Sequence, residues 1–69
     1  MKYYVIRINK KTGEKHYMKT KCVGGWLTNK TNCWQFSKQG AKGIAKRYNE
    51  YTHPTYAMYE YDIEAVEEN

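Results

Sequence analysis

The chain carries two histidines, His16 and His53, two cysteines, Cys22 and Cys33, and seven carboxylates. Nucleophilic or acid–base catalysis needs a reactive group held beside a partner that activates it. Neither histidine sits in a local motif that would supply one: His16 falls at the start of a strand, and His53 precedes Pro54. The closely spaced carboxylates Glu60, Asp62 and Glu64 alternate along a strand and read as a solvated face. Ser37 fits a helix cap better than a nucleophile. The chain is therefore read as a non-enzyme without catalytic residues.

Structural zinc sites draw ligands in pairs about two to four residues apart, because one tight turn then preorganises half of the site. Cys22, Cys33, His16 and His53 contain no such pair, so neither a metal nor a cofactor is predicted. Gly40-Ala41-Lys42-Gly43 has two readings. Backbone N–H groups at a helix start can cradle a phosphate, and the letters match the Gly-x-x-Gly loop of KH domains. That loop joins two helices, whereas here a strand ends only three residues before Gly40. The preferred reading is that both glycines let the helix sit close to a sheet, against a cost of about 1 kcal/mol each relative to Ala.

The cations are the most informative group. All 12 Lys and Arg fall within residues 1–59, against only Glu14 and Glu50, and the other carboxylates, Glu60, Asp62, Glu64, Glu67 and Glu68, follow. Tyr3, Arg7, Tyr17, Lys19 and Lys21 are predicted to share the outer side of a hairpin. Lys38, Lys42 and Lys46, with Arg47 at their edge, are predicted to share the exposed side of a helix. Rings between cations can stack unpaired bases while the cations follow phosphates. The competing reading is internal: Glu60, Asp62 and Glu64 pair with Arg7, Lys19 and Lys21 across the sheet and cancel the field. A third reading treats the acidic end as a mimic of a phosphate row. Trp26 is either a plug over a sheet edge or a contact anchor.

These side chains must be positioned by short elements. Residues 2–9 alternate, with Tyr4, Ile6 and Ile8 on one face and Tyr3, Val5 and Arg7 on the other, as a strand does. Lys11-Thr12-Gly13 reads as a three-residue hairpin loop with Gly13 in the left-handed conformation. A second strand follows from about Lys15 to Val23. Closing the loop at Lys10 and Glu14 places Ile8 opposite His16, Ile6 opposite Met18, Tyr4 opposite Thr20 and Lys2 opposite Cys22, with the Tyr4-Ile6-Ile8 face inward. Cys33-Trp34-Gln35-Phe36 reads as a third strand. Ser37 caps a helix whose stripe is Ala41, Ile44, Ala45, Tyr48 and Tyr51, with Lys38, Lys42, Lys46 and Asn49 opposite. Pro54 ends it. Residues 56–66 alternate again, with Ala57, Tyr59, Tyr61, Ile63 and Ala65 on one face.

The order β-β-β-α-β predicts an α+β two-layer sandwich, a mostly antiparallel sheet covered on one face by a single helix. Sixty-nine residues form a single small domain (1–69), its acidic end 64–69 expected to fray. So short a chain buries roughly 60% of its unfolded surface and leaves little material for a deep cleft. Eight Tyr, two Trp and one Phe compensate by burying much apolar area per residue. No apolar run resembles a signal-peptide core or a membrane span. Two cysteines are too few for a disulfide scaffold, so a cytoplasmic protein with free thiols is expected.

The Tyr4-Val5-Ile6 hairpin with its Lys-Thr-Gly loop, the Trp-containing connection, Phe36 leading into a helix with Ala41 and Ala45, and the closing Tyr61-Asp62-Ile63-Glu64 strand resemble small accessory proteins of phages and prophages of Gram-positive bacteria. The resemblance implies an interaction module that binds or diverts a host or defence protein of the bacterial cell, as inhibitors of CRISPR nucleases do. It transfers no functional residue. Two functions are carried forward: a non-enzymatic protein-binding module, and a nucleic-acid-binding domain using the hairpin and helix cations. A homodimer joined through an edge strand is compatible with either.

Overall fold

Asn9 closes the first hairpin, and it does so with its own side chain. The computed structural model of the chain describes residues 1–20, 25–29 and 33–67. In it, Asn9 Oδ1 accepts hydrogen bonds from the backbone N–H of Lys11 (2.8 Å) and Thr12 (3.0 Å). Asn9 N–H bonds the carbonyl of Glu14, and Gly13 N–H bonds the carbonyl of Asn9. Gly13 takes a φ of +78°, as its type allows and others resist. The loop therefore spans Lys10 to Gly13, one residue longer than the sequence pattern suggests.

That residue changes the register. Strand β1 (Tyr3–Asn9) pairs antiparallel with β2 (Lys15–Met18), with Ile6 opposite Tyr17, Arg7 opposite His16 and Ile8 opposite Lys15. The expected pairing of Ile6 with Met18 and Ile8 with His16 is thus displaced by one. Side chains on a strand alternate, so the displacement exchanges the faces of β2 relative to β1. The expected pairing of Lys2 with Cys22, and the stretch of the second strand beyond Thr20, lie outside the described residues.

The sheet has four strands in the order β3-β2-β1-β4, where β3 is Trp26–Leu27 and β4 is Tyr59–Ala65. The predicted third strand, Cys33–Phe36, is not one. Phe36 makes only a single bridge, exchanging two backbone hydrogen bonds with Tyr3 (2.8 and 2.7 Å). Helix α1 (Lys38–Glu50) begins at once, capped by Ser37, whose Oγ accepts from Gly40 N–H at 3.1 Å. After Tyr51, a short helix α2 (Pro54–Ala57) takes the place of the first residues of the predicted last strand, capped by His53 Nδ1 accepting from Thr55 N–H.

β4 decides which face of the sheet the helix covers. Its register against β1 sets Val5 opposite Ile63 and Arg7 opposite Tyr61. The same register sets Ile6 opposite Asp62 and Ile8 opposite Glu60. Burying carboxylates beneath a helix would cost several kcal/mol each, so α1 lies on the Val5–Ile63 side. There Val5, Met18, Phe36 and Ala41 form a core, with Tyr3, Trp26, Ile44, Tyr48 and Ile63 packed around it. The expectation that Tyr4, Ile6 and Ile8 face the helix is reversed. Tyr4, Ile6 and Tyr17 form a second buried cluster on the opposite face, flanked by Ile8, Cys33 and Val66. Glu64 is held there by Lys15 Nζ at 2.9 Å and by the Tyr17 hydroxyl at 3.1 Å, so the expected fraying from residue 64 onward does not begin at Glu64.

Gly40 and Gly43 are both exposed. A Cβ at Gly43 would meet nothing within 4 Å, and one at Gly40 would meet only the capping Ser37 Oγ, at 3.0 Å. Neither glycine is needed for close helix–sheet packing, which corrects that reading. Ala41 and Ala45 provide the close approach instead.

Candidate protein-interaction surface

The residues proposed for a basic and aromatic hairpin face do not form one. Tyr3 and Arg7 lie on the helix side of the sheet, and Tyr17 lies on the other. Tyr17 is buried edge-on against Tyr4, with ring centroids 5.5 Å apart. Burial, together with the hydrogen bond to Glu64, pushes the Tyr17 hydroxyl above its ordinary pKa. Tyr3 is half-buried against the core. Lys19 is exposed, and Lys21 lies outside the described residues. A platform of free rings for stacked bases is therefore absent among the described hairpin residues.

Arg7 does something else. Its guanidinium lies over the Trp26 ring (4.8 Å) and over the Tyr59 ring (4.2 Å). Its Nε donates to His16 Nδ1 at 3.2 Å, and His16 Nε2 meets Glu14 Oε1 at 2.6 Å. Because guanidinium only donates, His16 Nδ1 must accept, so Nε2 carries the proton toward Glu14. Arg7 thus pins β3 to the sheet through Trp26. Desolvated cation–π pairs of this kind contribute up to about 2 kcal/mol. The expected ion pairs of Arg7 with the acidic strand are replaced by these ring contacts. Trp26 also packs against Tyr48 (6.0 Å) and Tyr61 (5.7 Å), and so acts as the plug.

This arrangement opens a cluster that sequence reading missed. Tyr48 stacks on Tyr61 at 4.8 Å with an 18° interplanar angle. Tyr48, Tyr51 and Tyr56 touch one another, with centroid separations of 5.6, 5.6 and 4.9 Å, and His53 caps the edge of Tyr56 at 6.1 Å. Burial raises the pKa of the Tyr48 and Tyr61 hydroxyls, and the charge of Arg7 opposes the shift at both. The available signal was the density of tyrosine between positions 48 and 61, five of the eight in the chain. The alternating pattern of residues 56–66 masks it, because that pattern spells a strand where α2 forms. Rings this close leave no room for a cation between them, so the cluster is a plate and not a cage. In this cluster Tyr51 is 43% exposed, His53 is exposed and Tyr56 is half-buried, and Met58, the residue that ends α2, is 55% exposed.

Lys38, Lys42, Lys46 and Arg47 are all exposed on α1, as predicted. The three lysines have no ion pair among the described residues. Asn49, expected to face solvent with them, instead reaches β4: its Nδ2 donates to the Tyr61 carbonyl and its Oδ1 accepts from Tyr61 N–H, both at 2.9 Å. Between α1 and β4 lies a shallow depression of about 460 Å³, with Lys42, Ala45, Lys46, Asn49 and Glu50 on the helix side and Tyr61, Asp62 and Ile63 on the strand side.

Among the described residues there is no group of three or more His, Cys, Asp or Glu placed to hold a metal, and no helix long and apolar enough to cross a membrane. Comparison of the chain with protein-family models, with curated proteins and with solved structures yields no match in any of the three.

Proposed function

We propose that this chain is a non-enzymatic protein-binding module that meets its partner through the tyrosine plate at the α1–α2 end. The reading is carried by one observation. Tyr51 and Met58 are exposed large apolar side chains, and Tyr51 belongs to a set of rings already fixed by mutual contact. Tyrosine and methionine are enriched at interface cores, and tyrosine is frequent among hot spots. Rings locked before binding lose little further rotamer freedom on association. The lysine-rich flank of α1 favours an acidic partner surface, and the resemblance to phage accessory proteins makes a bacterial host or defence protein the partner class.

The unpaired lysines of α1 favour a second reading, nucleic-acid binding, which has lost the hairpin platform but keeps these cations. Two variants separate the two. Capture from nuclease-treated bacterial lysate is compared for the natural protein, Tyr51→Ala/Met58→Ala, and Lys42→Glu/Lys46→Glu. Labelled single- and double-stranded oligonucleotides are titrated in parallel at two salt concentrations. The protein-binding reading requires a specific partner that the Tyr51/Met58 variant loses. Oligonucleotide binding that weakens steeply with salt and vanishes in the lysine variant would replace it with the second reading.

A further inference from the structure

We infer that the depression between α1 and the edge of β4 is a docking groove for an extended acidic peptide, which adds to the sheet as a fifth strand. The inference goes beyond the tyrosine plate and needs neither Tyr51 nor Met58.

The edge is only partly closed. β4 ends the sheet, and its odd-numbered residues turn their N–H and C=O groups away from β1, because Tyr3 and Asn9 of β1 bond toward Phe36 and Glu14 and not toward β4. Tyr61 is satisfied by both amide atoms of Asn49, which stand where the peptide group of a neighbouring strand would. Ile63 N–H is taken by Asp62 Oδ1 at 2.8 Å. Beyond these, the Ile63 carbonyl and both backbone groups of Ala65 have no hydrogen bond among the described residues. Asn49 therefore ends the protected stretch, and the adjoining edge presents three groups that an added strand can use.

Charge and spacing identify the occupant. Side chains of an added strand that stand beside Ile63 and Ala65 point to the helix side, toward Lys42 and Lys46, which line the groove without an ion pair. The helix carboxylate of the groove, Glu50, follows Asn49 and so belongs to the Tyr61 end, which Asn49 already closes. Lys42 and Lys46 are one helical turn apart, a rise of about 6 Å. Alternate side chains of an extended strand repeat at about 6.6–6.8 Å. Carboxylates at positions i and i+2 of a strand thus match the two lysines. Residues between them point to the open face, where Asp62 and Glu64 lie, and there a cation fits. A second copy of this chain does not meet these conditions. Antiparallel pairing of β4 with its own copy keeps both sets of carboxylates on the open face, one against the other.

The test uses the full-length protein and a blocked peptide of sequence TVEKEVT, with TVKEKVT as the charge-exchanged control, followed by backbone amide shifts and fluorescence anisotropy at low salt. The expected result is saturable binding of TVEKEVT alone, with shifts at Lys42, Lys46, Ile63 and Ala65. Lys42→Glu/Lys46→Glu should abolish it. Ala65→Pro removes an N–H that points off the sheet, leaves the β1–β4 ladder intact, and should weaken binding about tenfold. Failure of TVEKEVT to bind, undiminished binding to the Ala65→Pro protein, or equal competition by oligo-dT would each overturn the inference. Tyr51→Ala/Met58→Ala should bind the peptide as the natural protein does. Loss of binding there would move the peptide to the tyrosine plate, which would overturn the groove and leave the protein-binding reading standing.

Discussion

The side-chain amide of Asn49 pairs with the backbone of Tyr61 through two hydrogen bonds of 2.9 Å, one in each direction. A helix residue thereby completes the ladder of an edge strand and fixes the last turns of α1 over β4. Asn49→Ala removes both bonds and leaves two backbone groups to find water, while gaining a few tenths of a kcal/mol in helix propensity. The expected net loss is about 1 kcal/mol, a drop of about 4–8 °C in thermal midpoint for a domain of this size. Circular dichroism melts measure it, and amide exchange at Tyr61 should accelerate more than at Val5.

Arg7→Lys keeps the charge and loses the planar group held between Trp26 and Tyr59, along with the Nε donor to His16. The expected cost is about 1–2 kcal/mol, mostly from release of β3. Denaturant melts followed by Trp emission should show it. A melt unchanged from that of the natural protein would mean that Trp26 is held without Arg7.

Gly43 and Gly40 should respond differently to alanine. Gly43→Ala meets open space and is expected to stabilise by about 0.5–1 kcal/mol, as a helical Gly→Ala change does when nothing obstructs it. Gly40→Ala places its Cβ 3.0 Å from Ser37 Oγ. That displaces the cap and offsets the propensity gain, so the melt should stay within a few tenths of a kcal/mol of the natural protein. Ser37→Ala should cost about 1 kcal/mol in the natural protein and less in the Gly40→Ala background, where the cap is already displaced.

Alkali should unfold the chain. Tyr17, Tyr48 and Tyr61 are raised above their ordinary range chiefly by burial, and Lys15 chiefly by its hydrogen bond to Glu64. A group raised in the folded state binds its proton more tightly there than in the unfolded chain. Its contribution is complete below the unfolded pKa, about 10 for both residue types, and is lost as pH rises through the folded value. Stability should therefore be flat from neutral pH to about pH 9 and fall from about pH 10 upward. Tyrosinate absorbance should show Tyr17, Tyr48 and Tyr61 titrating late, in step with loss of ellipticity.

Much of the fold was legible in the sequence, and the errors share one source. β1, the capped helix α1 and the alternation of β4 each follow from side-chain period and from Ser37 and Pro54. The hairpin register did not, because Asn9 builds a turn with its own side chain and lengthens the loop by one residue. The covered face did not follow either. Tyr4-Ile6-Ile8 and Tyr3-Val5 are both apolar, so β1 alone cannot choose between its sides; the choice belongs to β4, through its long-range pairing with β1. The candidate site inherited this error. Tyr17 and Arg7 went to opposite faces, while the tyrosines of residues 48–61 were brought together by α2, a helix of four residues whose start lies in Pro54 and the His53 cap.

The packing of Trp26 against Tyr48 and Tyr61 gives the molecule an optical gauge of its own condition. Excitation absorbed by those two tyrosines passes to the indole by dipole coupling while the rings lie close, so their own emission is weak in the folded chain. When the chain unfolds by heat or denaturant at neutral pH and the rings part widely, tyrosine emission rises. The intact chain, unlabelled, can report its own opening in a fluorimeter.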